Sequence, residues 1–312
     1  MEQRVTVIVN PRSKLGATGS EWPAMERALR ATWPSLQAKL TTGQGHATAL
    51  TREALAAGSD LVIAVGGDGT NNEVVNGFFD GERPIAPDAV LGFIPQGTGG
   101  DLRKTLRIGK TLEECLPVLV AGNVRAIDLG VARFVGTAGD NQCRVFVNIT
   151  SFGLGGLVDR KVNNSSKALG GKASFFLGTL KALLAYRNQD VRLRVDDGFD
   201  QVLRISNVAV ANGQYFGGGM WVAPHAKPDD GMFDVVILGD FTKSETVFGA
   251  GRIYKGTHLK LPKVRELRGR HVEATSEAEV LIDMDGEQPG RLPISLDVLP
   301  GALKVIAPPV PA

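Results

Sequence analysis

The sequence predicts an α/β domain built on a parallel sheet, followed by a largely antiparallel β domain. Three observations carry this. Apolar strand patterns alternate with helical ones in the N-terminal part of the chain. The ends of those strands run into polar, glycine-bearing loops, and beyond Val120-Ala121-Gly122 helical periodicity gives way to alternating β-rich segments with turn residues between them. Alternating strands and helices imply a parallel sheet, and ligands of such sheets bind outside the carboxyl ends of the strands.

The first strand is Val5-Thr6-Val7-Ile8-Val9, leading into Asn10-Pro11-Arg12-Ser13-Lys14-Leu15-Gly16. The second, Leu61-Val62-Ile63-Ala64-Val65, leads into Gly66-Gly67-Asp68-Gly69-Thr70, and Val90-Leu91-Gly92-Phe93-Ile94 leads into Pro95-Gln96-Gly97-Thr98-Gly99-Gly100-Asp101. Between them Glu21–Trp33, His46–Ala57 and Asn71–Phe79 carry apolar residues at helical spacing. The three loops therefore converge on one crevice.

The Gly66–Thr70 turn is the most informative. A strand that enters a glycine turn and then a helix presents backbone N–H groups and one carboxylate at a phosphate-sized site. Glycine there is expected to let the backbone approach an anionic ligand and to allow positive φ. A carboxylate beside phosphates repels them unless it binds a counter-cation such as Mg²⁺ or takes part in proton transfer. Asp-Gly is also common in tight turns and at helix starts, so Asp68 alone leaves both readings open.

Other nucleotide scaffolds are excluded. Gly109-Lys110-Thr111 lacks the upstream glycine of a P-loop, and Asn72 stands where a dinucleotide fingerprint needs its third glycine. No protein-kinase glycine loop or His-Arg-Asp run occurs. A net charge of +2 argues against a dedicated nucleic-acid binder. Cys115 and Cys143 are too few for a disulfide framework and lack metal-ligand spacing, which suits a reducing compartment. No zinc motif is present among four scattered histidines. Met1-Glu2-Gln3-Arg4 runs straight into a strand and no apolar stretch is long enough to span a bilayer, so a cytoplasmic location is expected.

A chain of 312 residues exceeds what one core usually holds. The second domain is expected to begin near Asp128, with strands at Arg144–Ile149, Val191–Val195, Ile205–Ala211, Phe233–Leu238, Val280–Met284 and Ile294–Leu299. The active site is then expected in the cleft between the domains. A helical segment from Leu157 to Arg194 interleaves basic residues with leucines and phenylalanines, which suits an anionic membrane surface; a core helix with a solvated basic face is the alternative.

Three further patterns carry chemistry. In Asp285-Gly286-Glu287 a tight turn can aim two acids at one point, and a carboxylate shielded from water there serves as general base; a hairpin turn with solvated acids is the other reading. Asp229-Asp230-Gly231 offers oxygen ligands of the kind Mg²⁺ takes, or is a surface turn. Gly217-Gly218-Gly219 either meets a ligand or lets two backbones pass closely.

Asn10-Pro11-Arg12-Ser13, Gly66 to Thr70 with Asn72 to Gly77, Gly97-Thr98 with Asp101, Asn212-Gly213 with Gly217 to Gly219, Pro224 with Asp230-Gly231, and Asp285-Gly286-Glu287 stand in an order that resembles the diacylglycerol kinase catalytic-domain family. That family includes bacterial soluble lipid kinases and the sphingosine and ceramide kinases, with NAD kinases and phosphofructokinases as distant relatives. The resemblance runs from about Val5 to the end. It implies a three-layer α/β nucleotide domain over 1–127, to which 303–312 return, and a β-sandwich lipid-substrate domain over 128–302.

The activity it implies is that of a lipid kinase, a phosphotransferase with an alcohol acceptor that moves the γ-phosphate of ATP to diacylglycerol or a related lipid in phospholipid metabolism. ATP contacts are implied at Asn10, Pro11, Arg12, Ser13, Thr41, Gly66, Gly67, Asp68, Gly69, Thr70, Asn71, Asn72 and Thr98. Glu287 is implied as proton acceptor with Asp285 beside it, Asp68 joins them as a catalytic acid, and a Mg²⁺ site is implied at Asp230 with the backbone of Lys227 and Met232. A lipid acceptor implies work at the inner membrane face, and a sheet-edge homodimer is compatible with the fold. Gly100 stands where many members carry Asn, and His46 where some carry an acid. A non-catalytic nucleotide- and lipid-binding regulator and an NAD kinase-like activity are the alternatives; the retained Asp68, Asp285 and Glu287 favour catalysis over the first, and the glycine motif from Asn212 to Gly219 fits poorly with the second.

Overall fold

The computed structural model describes residues 3–97, 99–157 and 186–309. The N-terminal half alternates as expected: β1 (Val5–Val9), α1 (Ala17–Thr32), β2 (Gln37–Leu40), α2 (His46–Ala56), β3 (Leu61–Gly66), α3 (Asp68–Gly77), a small hairpin of β4 (Phe79–Asp80) and β5 (Arg83–Pro84), β6 (Val90–Pro95), α4 (Asp101–Leu106) and α5 (Leu112–Ala121). Every residue of β1 and β3 is buried, as strands covered on both faces by helices must be. These strands pair in parallel with Val9 beside both Leu40 and Val65, and Gly66 beside Pro95. The register brings the loops that follow them to one edge. Their core gathers Val7, Ile8, Leu29, Ile63, Val75 and Leu119 between sheet and helices.

The C-terminal half is antiparallel. It comprises β7 (Val124–Gly136), β8 (Asn141–Phe146), β9 (Ile149–Gly153), β10 (Gln189–Val195), β11 (Phe199–Ile205), β12 (Asn207–Ala211), the short pair β13 (Tyr215–Phe216) and β14 (Met220–Trp221), β15 (Phe233–Leu238), α6 (Lys243–Tyr254), β16 (Val264–Gly269), β17 (His271–Thr275), β18 (Ile282–Met284) and β19 (Gly290–Ile306). A sheet ordered β16-β15-β12-β9-β18 packs on β10, β17, β19 and β7, with Phe152, Leu193, Val210, Val235, Val272 and Leu296 filling the space between. Phe146 stacks on Phe233 across this core, centroids 5.7 Å apart. Gly130 makes room for the ring, since a Cβ there would meet Phe146 at 2.0 Å.

The two halves share a sheet. β19 pairs antiparallel with β17 and β7, bulges after Leu299, and ends parallel to β6 with Lys304 beside Val90 and Val305 beside Leu91. Among the described residues the result is one ten-stranded sheet running β11-β10-β17-β19-β6-β3-β1-β2, with β7 and β8 branching from β19. Asp128 pins the bend: its carboxylate accepts the N–H of Gly231 at 2.6 Å and that of Gly301 at 2.7 Å.

Several expected elements differ. The strand expected at Arg144–Ile149 is two, β8 and β9, because the chain between them turns its N–H groups toward Asp285 instead of a neighbouring strand. Ile294–Leu299 is the middle of the 17-residue β19. Of the expected basic helix, residues 158–185 lie outside the described ones. Its C-terminal end is strand β10, where Arg192 pairs with Asp200 and Arg194 with Asp197. No helix among the described residues is long and apolar enough to cross a membrane.

Candidate active site

Hydrogen bonds close the strand-end loops onto one another. The N–H of Asn10 donates to Val65 O at 2.9 Å, that of Thr41 to Val9 O at 2.8 Å and that of Gln96 to Gly66 O at 2.7 Å. The Asn10 side chain donates to Thr70 Oγ1 at 2.9 Å and accepts from the Arg12 N–H at 3.0 Å. Ser13 Oγ donates to Asn10 O, and Pro11 O accepts from Gly19 N, so both shape the turn into α1. Arg12 is left exposed.

These loops form one wall of a cleft of about 820 Å³. Asn10, Arg12, Thr41, Gly69 and Thr70 line that wall; Arg144, Glu287 and the β7–β8 turn line the other. Arg144 is the site residue that the sequence reading missed. An arginine in a strand carries no local signal, and only the pairing of β8 with β7 brings it to the cleft.

Glycines in the Gly66–Gly69 turn serve packing. A Cβ at Gly66 would meet Thr70 Cβ at 2.5 Å, and one at Gly97 would meet Gly67 Cα at 2.7 Å. None of Gly66, Gly67 and Gly69 is left-handed. The expectation of positive φ is corrected: the absent side chains let Gly67 and Gly97 come together and leave room over Gly69, where a Cβ would sit 3.3 Å from Glu287 Oε1.

Asp285 and Gly286 have φ of 50° and 88° and form the two-residue turn of a tight hairpin, with Met284 N to Glu287 O at 2.8 Å and the reciprocal bond at 3.0 Å. Its first acid is buried. Asp285 Oδ2 accepts from Asn72 Nδ2 at 2.7 Å and Val147 N at 3.0 Å, while Oδ1 accepts from Asn148 N and Ile149 N, each at 3.0 Å. Burial pushes the Asp285 pKa up and these donors oppose it. Every hydrogen-bond partner of the two oxygens is an N–H donor, so a proton on either oxygen would face an N–H, an arrangement made for the anion. With its lone pairs engaged, Asp285 positions; it has no capacity left for a substrate proton.

Glu287, two residues on, is the contrary case. Its carboxylate faces the cleft, with Arg144 Nη1 at 3.7 Å. Burial raises its pKa above the usual glutamate value, while Arg144 pulls it down. Glu73 does not compete for this role, because its two oxygens accept from Gly45 N at 2.8 Å and Ala47 N at 3.0 Å and cap α2.

Asp68 opens α3 but turns away from this cleft toward the 99–101 loop. Oδ2 accepts from Gly100 N at 2.9 Å; Oδ1 is buried with no hydrogen-bond partner among the described residues. Burial, then the charge of Asp101, pushes its pKa up to about 6. Asp101 is itself engaged, by Lys104 Nζ and by Gly218 N, each at 2.8 Å. The Gly217–Gly219 run thus meets a carboxylate of the N-terminal half. Asn71 is buried beside this turn, Asn72 is spent on Asp285, and Thr98 lies outside the described residues.

Lys227, Asp230 and Met232 fall in one turn, as expected, but the Asp230 carboxylate is engaged otherwise. One oxygen accepts from Met232 N at 3.2 Å and the other pairs with Arg268. Arg268 lies across the β15–β16 pairing, a partner that no local pattern announces. No cluster of three or more acidic, histidine or cysteine side chains is poised for a metal among the described residues.

Two family models match the chain, the diacylglycerol kinase catalytic domain over residues 4–132 and the YegS C-terminal NAD kinase beta sandwich-like domain over residues 148–307. The chain belongs to the diacylglycerol kinase family. It is similar to the diacylglycerol kinases of Staphylococcus saprophyticus, 27% identical over 94% of this chain and 92% of that one, and of Staphylococcus epidermidis, 28% identical over 99% and 93%. The crystal structure of a diacylglycerol kinase from Bacillus anthracis str. Sterne superposes with a TM-score of 0.72 at 24% identity, covering 98% of this chain and 97% of that one. Yeast NADH kinase complexed with NADH shares the fold alone, at a TM-score of 0.58 and 11% identity over 99% and 84% of the two chains.

The two buried aspartates predict opposite effects on stability. Asp285→Asn replaces an acceptor with an amide facing N–H donors, and should cost about 2–4 kcal/mol in urea denaturation. Asp68 has a folded pKa of about 6 against an ordinary 3.8, so its protonated form is the one folding favours. Stability is therefore lost as pH rises from the ordinary value through the raised one. Asp68→Asn should match the wild type near pH 4 and exceed it by about 1–3 kcal/mol at pH 7. A variant less stable than wild type at pH 7 would contradict this.

Proposed function

We propose that the protein transfers the γ-phosphate of ATP to the hydroxyl of diacylglycerol or a closely related lipid, with Glu287 as general base. The observation that carries this reading is Glu287 itself: a half-buried carboxylate with raised pKa, aimed into the cleft opposite the Asn10–Ser13 and Gly69–Thr70 loops.

In this reading the phosphates of ATP lie against the Asn10–Ser13 loop and the N-terminus of α3, where N–H groups and the helix dipole favour anions. Arg12 adds a positive charge on the same wall. The acceptor hydroxyl stands beside Glu287. Its oxygen attacks the γ-phosphorus as the bond from that phosphorus to the bridging β–γ oxygen breaks, ADP leaves, and the hydroxyl proton passes to Glu287. Arg144 opposes the effect of burial and favours the ionised carboxylate, the form that can accept that proton.

Mg²⁺ fits this chain at Asp68, whose Oδ1 is a buried oxygen without a hydrogen-bond partner among the described residues. When bound it would neutralise phosphate charge. The turn at Asp230 fits less well, since Arg268 already occupies its carboxylate. The enzyme on this reading works on the cytoplasmic side, where ATP is supplied, on an acceptor held in a bilayer.

The test is transfer of labelled γ-phosphate from ATP, with Mg²⁺, to diacylglycerol in mixed micelles, with ceramide, sphingosine and NAD as alternative acceptors. Labelled phosphatidic acid is expected; labelled NADP, or no labelled lipid, would contradict the reading. Glu287→Gln should lower kcat by about 10²–10⁴-fold, the usual range for losing a positioned base, with its melting temperature unchanged. Near-full turnover in that variant would remove Glu287 from the role.

A further inference from the structure

Helix α6 is unusual in having no buried residue. Its start is well specified: Thr242 and Glu245 form a capping box, and Lys263 Nζ holds both Glu245 oxygens at 2.8 and 2.7 Å. Only the face carrying Thr246, Gly249 and Ile253 leans on the protein, where Ile253 joins a small cluster with Val222 and Val236. The opposite face carries Ser244, Val247, Phe248 and Gly251, spaced as one stripe of a helix. Val247 is 54% exposed, Phe248 87% and Tyr254, one turn further, 51%. A phenylalanine left this open on a well-capped helix is there to be covered by something else.

Charge identifies the cover. Residues 243–263 carry Lys243, Arg252, Lys255, Lys260 and Lys263 against the single carboxylate Glu245. Arg252 and Lys255 are exposed at the end of the same helix. An apolar stripe flanked by cations, with its one acid tied to a lysine, is the composition of a helix that lies in the interface of an anionic bilayer.

The helix is also connected to the candidate site. It packs on β14, and the turn after it is tight against Trp221, whose ring a Cβ at Gly256 would meet at 2.9 Å. Trp221 stacks on Tyr215 with centroids 5.8 Å apart, Lys104 Nζ lies 5.7 Å from the Tyr215 ring centroid, and Lys104 holds Asp101 beside Asp68. A bilayer on α6 would therefore lie on the side of the molecule where Trp221 and Tyr215 meet Lys104 and Asp101.

We propose that α6 is a membrane-docking helix that inserts Val247, Phe248 and Tyr254 into the headgroup region of an anionic bilayer, with Arg252 and Lys255 on its lipid phosphates. This deepens the lipid-kinase reading and rests on it for the acceptor's location. The chemistry of docking needs no catalysis, so the two can fail separately.

The experiment is co-sedimentation of the full chain with vesicles of phosphatidylglycerol and phosphatidylcholine, and with pure phosphatidylcholine. The wild type should prefer the anionic vesicles. Phe248→Asp should weaken binding at least about tenfold, Phe248→Trp should retain it, and Arg252→Glu with Lys255→Glu should abolish the preference for anionic lipid. All three positions are exposed or lie at the helix end, and phosphorylation of a water-soluble short-chain diacylglycerol should be unchanged in each variant. Equal vesicle binding by wild type and Phe248→Asp would overturn the proposal. So would a dimer converted to monomer by Phe248→Asp with lipid binding intact, which would assign the face to a second copy. Phe248-dependent vesicle binding by a protein that phosphorylates no lipid would uphold the helix and overturn the kinase reading alone.

Discussion

One buried anion organises the site. The Asp285 carboxylate draws three consecutive backbone N–H groups, those of Val147, Asn148 and Ile149, together with the Asn72 amide of α3. An ionised carboxylate this deep is tolerable only when fully hydrogen-bonded, so the arrangement is close to all-or-none. It fixes where β8 ends, where β9 begins, and how α3 meets the hairpin that follows β18. Glu287 is two residues from the anchor and inherits its position over Gly69 from it. A carboxylate on a tight turn would otherwise be mobile; here the turn is held by its first residue.

The same device recurs at the other junctions between the halves. Asp101 at the start of α4 accepts from Gly218 of the second half, and Asp128, within β7, accepts from Gly231 and Gly301 at the bend by which β19 reaches the first half. Carboxylate to backbone N–H bonds are charge-assisted and directional, and the glycine positions let the backbone come close enough. Together with the shared strand β19 they make the cleft a rigid feature between two cores. Asp68 stands apart from this pattern. It keeps one buried oxygen without a hydrogen-bond partner among the described residues and a raised pKa, the kind of stored cost expected where a ligand is to be met.

Much of the architecture was legible in the sequence because it rests on local signals. The largely apolar runs of β1, β3 and β6 with polar loops behind them gave the parallel sheet and the edge where its loops gather. Spacing in Asp285-Gly286-Glu287 announced a turn bearing two acids, but not which of them would be consumed. That depends on Asn72 and on residues 147–149, distant in sequence. The glycines of the 66–69 turn were recognisable as necessary, but the positive φ expected of them is absent, and the contact of Gly67 with Gly97 comes from packing that no local pattern announces. Arg144 and the Arg268 partner of Asp230 come from strand pairing alone. Helix α6 escaped because its outward stripe of Val247, Phe248 and Gly251 does not pack on the protein, so its periodicity is weak beside the strands around it.

In the proposed mechanism the ionisation of Glu287, tuned by Arg144 and with its turn held by Asp285, turns the enzyme on. The most direct measurement is the pH dependence of kcat for lipid phosphorylation in wild type and in Arg144→Ala. Arg144 lowers the Glu287 pKa, so its removal should move the acidic limb of the profile to higher pH. A limb that stays in place would assign the ionisation to a group out of reach of Arg144, such as Asp68, and would contradict the account.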